Sequence, residues 1–324
     1  MKQRLKIIIL LLLPFCSFAE EGFVISGKVT GIISGSVSIV PRSGDDLRNL
    51  PEKVRIVDGV FTFTGKIDHP QPVQLKISTK TLNIFLENTR YTVDCSFESL
   101  SGNQIRGSKA NDEFQEFMAS GQSNLDYLRA HPSSPLAPWM ASMASFKKES
   151  ILEAYSLLTE EGKKSVEGRE LKRQIDIYEK TAAGKPMLDF KMNDPAGKPL
   201  SVKDLAGKIV VLDFWASWCA PCIGFIPKLR EHYANYSNKG VAFVSVSVDE
   251  NKEKWKEAMS FHPMEWKQVV AAGGFSDTEG VKPLFNIKGI PYLIIVDRHG
   301  NIAASLDGYH KEELGKVLED LVNK

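Results

Sequence analysis

Between residues 22 and 107 short runs of alternating apolar and polar residues recur. FVISGKVT, SVSIV, KVRIV, VFTFTGKI, VQLKIS, LNIFLE and YTVDCSFE mostly place an apolar side chain at every second position, and Gly, Pro, Asn or Asp separates the runs. A period of two puts one face of each run toward a core and the other toward water, as β-strands require. Asp58-Gly59, between KVRIV and VFTFTG, is the dipeptide that a two-residue hairpin turn favours. Strands at this spacing predict an all-β, sandwich-like domain over residues 20–109. From residue 110 the alternation stops. DEFQEFMAS, APWMASMASF, ESILEAYSLL and RELKRQIDIYEK carry helical spacing, and His131-Pro132-Ser133-Ser134-Pro135 interrupts them. Asn111 is the expected cap of the first helix, with Phe114 and Phe117 three apart on one apolar face. Residues 110–182 therefore read as a helical connector whose Met and aromatic positions are core. Over residues 183–324 strands alternate with helices. The strands are IVVLDFW, VAFVSVSVD, PYLIIVD and IAASLD, and helices begin near Cys219, Lys252, Asp277 and Lys311. This order predicts an α/β domain with a central sheet, and the near-continuous apolar runs IVVLDF and YLIIVD predict strands buried on both faces.

The first 19 residues belong to none of these patterns. Lys2, Arg4 and Lys6 precede the apolar run Ile7 to Phe15, and Ser17-Phe18-Ala19 ends it with small residues at the cleavage positions. The run is too short to span a bilayer and fits a signal peptide cleaved after Ala19. Bulky Phe15 before Cys16 argues against a lipid-modified cysteine. Removal of residues 1–19 takes three cations and no acid, so the net charge passes from +1 to −2. That balance holds no basic excess for binding nucleic acid. The ordinary content, 43% hydrophobic and 25% charged, excludes a disordered or multi-span chain. Cys95, Cys219 and Cys222 remain after cleavage, in a compartment where disulfides persist. Cys95, in step with Val93 and Phe97, is expected to be a small core residue.

The chemistry concentrates at Trp218-Cys219-Ala220-Pro221-Cys222, which follows an apolar strand and opens a helix. Free N–H groups and the dipole at a helix start stabilise an anion, so the Cys219 thiolate is favoured. Two intervening residues bring both sulfurs into one turn, where they can alternate between dithiol and disulfide. Cys219, at the exposed end, is expected to attack, and Cys222 to resolve the mixed disulfide. A fixed disulfide and a zinc half-site are the alternatives. The second is disfavoured because histidines 69, 131, 232, 262, 299 and 310 are scattered without ligand spacing. No metal or dissociable cofactor is expected beyond the Cys219–Cys222 couple. Asp213, in mid-strand between Leu212 and Phe214, is expected to be desolvated, with a raised pKa, and so able to take a proton from Cys222.

From about residue 185 onward the chain resembles a thioredoxin-fold domain. WCAPC is similar to that family's active site, and Asp213 falls six residues before the first cysteine, where the family carries an acid. Pro227 falls where thioredoxins kink the active-site helix. Gly289-Ile290-Pro291 resembles the loop whose cis-proline lies against the disulfide, and Gly308 the glycine that faces it. The resemblance implies that Trp218, Ala220, Pro221, Ile290 and Pro291 contact substrate, pairing an extended segment strand-like. The 40 residues between Asp249 and Ile290 read as a helix plus an extra strand, and LDFKMNDPAGKPLSVKDLAGK as a leading hairpin. Both features resemble TlpA/ResA-like envelope thioredoxins and their AhpC/TSA peroxiredoxin relatives. The N-terminal β region resembles a poorly characterised domain that precedes such modules in secreted bacterial proteins.

The resemblance implies a periplasmic thiol–disulfide oxidoreductase that reduces protein disulfides and is recharged by a membrane thiol donor of the DsbD/CcdA kind. Ala-Pro between the cysteines and Ile290 before the proline resemble reducing members. Two departures qualify this. Ser245 stands where thioredoxins place a lysine beside the buried acid, and Phe225 stands where cytochrome-maturation members carry a glutamate. A peroxidase is the first alternative, but Leu212 and Ala216 hold the positions where it needs Pro and Thr or Ser. A partner-binding protein with an accessory redox module is the second.

Overall fold

The computed structural model describes residues 22–41, 50–144 and 147–324, so the expected signal segment 1–19, with Cys16, lies outside the described residues. The chain forms two compact units. One comprises Met1–Ala144 with Glu153–Gly168, the other Ser145–Leu152 with Arg169–Lys324.

The first unit contains β1 (Phe23–Thr30), β2 (Ser34–Pro41), β3 (Val54–Val57), β4 (Val60–Gly65), β5 (Gln71–Ile77), β6 (Lys80–Leu86), β7 (Arg90–Ser96) and β8 (Ile105–Arg106). They form one continuous sheet in the order β6-β5-β2-β3-β4-β1-β7-β8. Every pairing is antiparallel except β1 with β7. The sandwich-like packing is thus made by a single sheet enclosing one cluster, in which Ile25, Phe63, Leu75, Ile84 and Ile105 have no exposed surface. Asp58 and Gly59 form the two-residue hairpin between β3 and β4, with φ of +48° and +75°. Positive φ at both positions is what makes such a turn match the strand twist.

Helices follow the sheet: α1 (Lys109–Ser120), α2 (Asn124–Ala130), α3 (Ala137–Ser142), α4 (Lys148–Leu157), α5 (Glu160–Lys164) and α6 (Val166–Lys180). The cap of α1 is Ser108, whose hydroxyl accepts the Asn111 N–H, and not Asn111 as the pattern suggested. Asn111 is fully buried one turn in. Its Oδ1 accepts the Phe85 N–H at 3.1 Å, and its Nδ2 donates to Ile105 O at 3.2 Å. The amide is taken by backbone groups at the sheet edge that would otherwise be unpaired, and that use outweighs capping. Phe114 packs against Phe85 and Trp139, so the aromatic positions of this segment are core.

The second unit is built on β9 (Met192–Asn193), β10 (Pro199–Leu200), β11 (Ile209–Trp215), β12 (Val241–Ser247), β13 (Lys267–Ala271), β14 (Tyr292–Val296) and β15 (Ile302–Leu306). The sheet order is β10-β9-β13-β12-β11-β14-β15. β11, β12 and β13 run parallel, β14 and β15 antiparallel to them, and β9/β10 is the leading hairpin. The helices are α7 (Ala220–Tyr236), α8 (Lys252–Phe261), α9 (Val281–Phe285) and α10 (Leu314–Val322). All seven residues of β11 are buried, as expected of a central strand covered on both faces. Val210, Leu212 and Phe214 enter one cluster; Ile209 and Val211 enter the other, where they meet Phe225 and Leu229 of α7. Among the described residues no helix is long and apolar enough to cross a membrane.

The β-sheet unit should depend on the Phe63 ring, which is fully buried and stacked on Phe23 at 6.1 Å. Phe63→Ala should lower the stability of that unit by about 3–5 kcal/mol, read as an earlier denaturant midpoint.

Candidate active site

β11 ends at Trp215, and α7 begins five residues later at Ala220. The short connection carries Ser217, Trp218 and Cys219. Asp249, just past β12, holds it: Oδ2 accepts the Ser217 N–H at 2.9 Å, and Oδ1 accepts the Ser217 hydroxyl at 2.7 Å. Ser247 donates to Asp249 Oδ2 at 2.8 Å, so a buried carboxylate with several donors ties the loop to the neighbouring strand. Sequence reading missed Asp249 and its serines, because a contact across 32 residues leaves no local signature.

Cys219 is the N-cap of α7, and its sulfur is bonded to that of Cys222 with the Cα atoms 5.3 Å apart. The Cys222 N–H points at Cys219 Sγ, 3.3 Å away. The expectation that Cys219 is the exposed partner needs correction. Cys219 is 5% exposed and Cys222 3%, so access barely separates them. What separates them is the helix terminus: Cys219 caps α7 and its sulfur receives the Cys222 N–H, so a thiolate there gains both a hydrogen bond and the dipole. Pro221 fits the same turn, where a missing N–H leaves no helical bond unmade. Pro227 lies inside α7.

The remaining residues singled out in the sequence gather around this pair. The Ile290–Pro291 bond is cis, and Ile290 O lies 3.6 Å from Cys219 Sγ. Pro291 is buried, and Gly308 packs on it; a Cβ added to that glycine would meet Pro291 Cδ and O at 3.6 Å. Trp218, Ala220 and Pro221 are exposed beside the disulfide. The Trp218 ring stands 6.1 Å from Phe275, and Lys282 Nζ lies 4.7 Å from the Phe275 centroid. Phe275 and Lys282 belong to the inserted segment and had no signal in the sequence.

Asp213 lies on the same face of β11 as Ile209 and Val211. Phe225 and Leu229 of α7 cover that side of the sheet, whereas Cys222, at the start of the helix, is buried in the cluster that holds Leu212 and Phe214. Burial pushes the Asp213 carboxyl up to about 7, and the Ser245 hydroxyl, donating to Oδ2 at 2.9 Å, pulls it part of the way back. Phe225 is buried and supplies no carboxylate. Cys95 is half-buried and unbonded against the β-sheet core, and burial pushes its thiol up. Among the described residues no three His, Cys, Asp or Glu side chains group as a metal requires.

Comparison with known proteins places this site. Residues 183–320 match the AhpC/TSA family, and residues 23–114 match a domain of unknown function (DUF4369). Thiol-disulfide oxidoreductase ResA of Bacillus thuringiensis subsp. konkukian is 31% identical over 145 residues, covering 44% of this chain and 80% of the relative. The chain belongs to the AhpC/TSA family. ResA of Bacillus subtilis is 27% identical over 155 residues, 45% of this chain and 82% of the relative. The thioredoxin domain of a thiol-disulfide oxidoreductase from Bacteroides vulgatus is 31% identical, with 44% of this chain and 98% of that chain covered and a TM-score of 0.39. This AhpC/TSA member is a thiol–disulfide oxidoreductase of the ResA type, with a thioredoxin fold preceded by an all-β domain.

The raised pKa of Asp213 has a consequence for stability. Below about pH 4 the acid is neutral in both folded and unfolded chains and costs nothing. Between about pH 4 and pH 7 the unfolded chain releases this proton while the folded chain keeps it, so stability contributed by the neutral acid is lost as pH rises. The stability of the wild type relative to Asp213→Asn should fall across that window, by on the order of 4 kcal/mol. Parallel denaturant titrations at several pH values measure it.

Proposed function

We propose that this protein reduces disulfides of exported proteins in the periplasm through a Cys219–Cys222 dithiol/disulfide cycle. The observation that carries this reading is the placement of Cys219 Sγ at the start of α7, receiving the Cys222 N–H, bonded to Cys222 and 3.6 Å from Ile290 O. In the reduced protein the Cys219 thiolate attacks one sulfur of a client disulfide, and the other client sulfur leaves as a thiolate. Cys222 then attacks Cys219 in the mixed disulfide, closing the protein's own S–S bond and releasing the second client thiolate. The client gains two electrons and the protein's dithiol loses them. Asp213 takes the Cys222 proton as that sulfur attacks.

The client segment lies along Ile290 and Pro291, where an extended chain meets exposed backbone, with Trp218, Ala220 and Pro221 on the other side of the sulfurs. A membrane thiol pair of the DsbD/CcdA kind returns the electrons. The couple itself is the redox group, so the cycle requires no dissociable cofactor. The signal-peptide pattern at residues 1–19 supports export, and Ala-Pro between the cysteines supports the reducing direction.

Cys219→Ser should abolish insulin reduction. Cys222→Ser should leave clients joined to Cys219 as mixed disulfides that mass spectrometry identifies. Equilibration of the wild type with glutathione buffers should give a potential below about −200 mV. A value near about −120 mV, the oxidising end of the range, would reverse the direction.

A further inference from the structure

Thioredoxins place a lysine beside the buried acid; here the cross-strand partner of Asp213 is Ser245, in register on β12. Ser245 has no exposed surface. Its Oγ accepts the Trp266 Nε1–H at 2.9 Å and lies 2.9 Å from Asp213 Oδ2. The indole N–H can only donate, so it takes one of the two lone pairs of Oγ, and toward an ionised carboxylate, which can only accept, the hydroxyl must donate. One lone pair of Oγ is engaged, and the single hydroxyl proton is left to donate. Two acceptors are in reach. Met264 Sδ, at 3.8 Å, is a weak one, and a carboxylate oxygen at 2.9 Å is far stronger, so the proton goes to Asp213. Of the two Asp213 oxygens, it is Oδ2 that Ser245 engages.

We propose that Ser245 is a positioning residue for the proton step: held as a donor by the Trp266 indole, it occupies Asp213 Oδ2 and leaves Oδ1 to take the Cys222 proton. While Ser245 donates to Oδ2, Oδ1 is the oxygen with the freer lone pairs, and the arriving proton is taken there. The inference rests on Asp213 serving as the base for Cys222. The balance is one proton from Cys222 Sγ to Asp213 Oδ1, as the Cys222–Cys219 bond forms and the client thiolate departs.

Few other groups face this carboxyl. β14 presents Leu293, opposite Asp213 in register. Phe225 of α7 packs on the same face of β11, with Lys311 Nζ 5.0 Å from its ring. Trp266 brings no ionisable group, and no charged side chain contributes to the ionisation of Asp213, which burial opposes and Ser245 favours. A neutral hydroxyl thus does the work of the missing ammonium without burying a second charge.

The test uses the full-length reduced protein and 5,5′-dithiobis(2-nitrobenzoate). Attack by Cys219 releases one thionitrobenzoate, and closure by Cys222 releases the second, in a later phase followed by absorbance against pH. Ser245→Ala should move the midpoint of the second phase to higher pH by about one unit or more, because the ionised base has lost its donor. Ser245→Thr, which keeps the hydroxyl, should restore the wild-type midpoint. Trp266→Phe should shift it in the same direction as Ser245→Ala by a smaller amount. If Asp213→Asn removes the inflection while Ser245→Ala leaves it unmoved, the positioning role is overturned and the base survives. If Asp213→Asn keeps the wild-type midpoint, the assignment of the base falls, and this inference with it. Should Ser245→Ala fail to fold, Trp266→Phe decides alone, and an unshifted midpoint overturns the proposal.

Discussion

The backbone N–H of Cys222 meets Cys219 Sγ at 3.3 Å because α7 begins at that residue and nowhere else. Moving the helix start by one position would turn the free N–H groups away from the sulfur, and a thiolate there would lose its stabilisation. Several parts of the second unit hold that start in place. β11 is buried along its whole length, so its end is fixed relative to the sheet. Asp249 binds the backbone and side chain of Ser217, which prevents the short connection from swinging. Phe225 and Leu229 seat the helix on Ile209 and Val211. The Ile290 carbonyl then closes the far side at 3.6 Å. Each of these is an ordinary packing or hydrogen-bonding interaction, and together they convert a helix terminus into a reactive one.

What was legible in the sequence were the features written locally. The residues IVVLDFW bound β11 at Ile209 and Trp215 as the structure does, because a strand covered on both faces is apolar along its length, here with Asp213 as the one exception. Asp58-Gly59 specifies its hairpin because few residue pairs accept positive φ at consecutive positions. The spacing of Cys219 and Cys222 and the chain around them carry the redox pair for a similar reason: one helical turn is a local distance. The features that escaped are contacts between distant segments. Ser217 and Asp249 are 32 residues apart, Ser245 and Trp266 are 21 apart, and Trp218 and Phe275 belong to different loops. Asn111 was misplaced as a cap because short polar side chains suit both a helix start and an unpaired sheet edge. Only the position of the Phe85 N–H decided between them.

Burial of Asp213 joins the stability of the unit to the proton step proposed for it. A carboxyl buried to 5% exposure and given a single hydroxyl donor ionises near pH 7, far above an exposed aspartate. That same burial makes the ionised form expensive to hold, so the fold is weakened in the pH range where the group can accept a proton. A proton acceptor works best when its pKa lies near the operating pH, since a stronger acid would be a poor base and a weaker one would rarely be empty. A lysine at position 245 would lower the pKa of the acid by a nearby charge, but it would bring a second ion into the core with its own desolvation penalty. The serine, oriented by the Trp266 indole, stabilises the carboxylate by one hydrogen bond and adds no charge. With the ammonium replaced by a hydroxyl, the tuning of Asp213 rests on burial and one donor. The geometry of that donor is therefore set by the inserted segment that carries Trp266, and in the proposed cycle the extra strand of this branch of the family enters the proton chemistry through it.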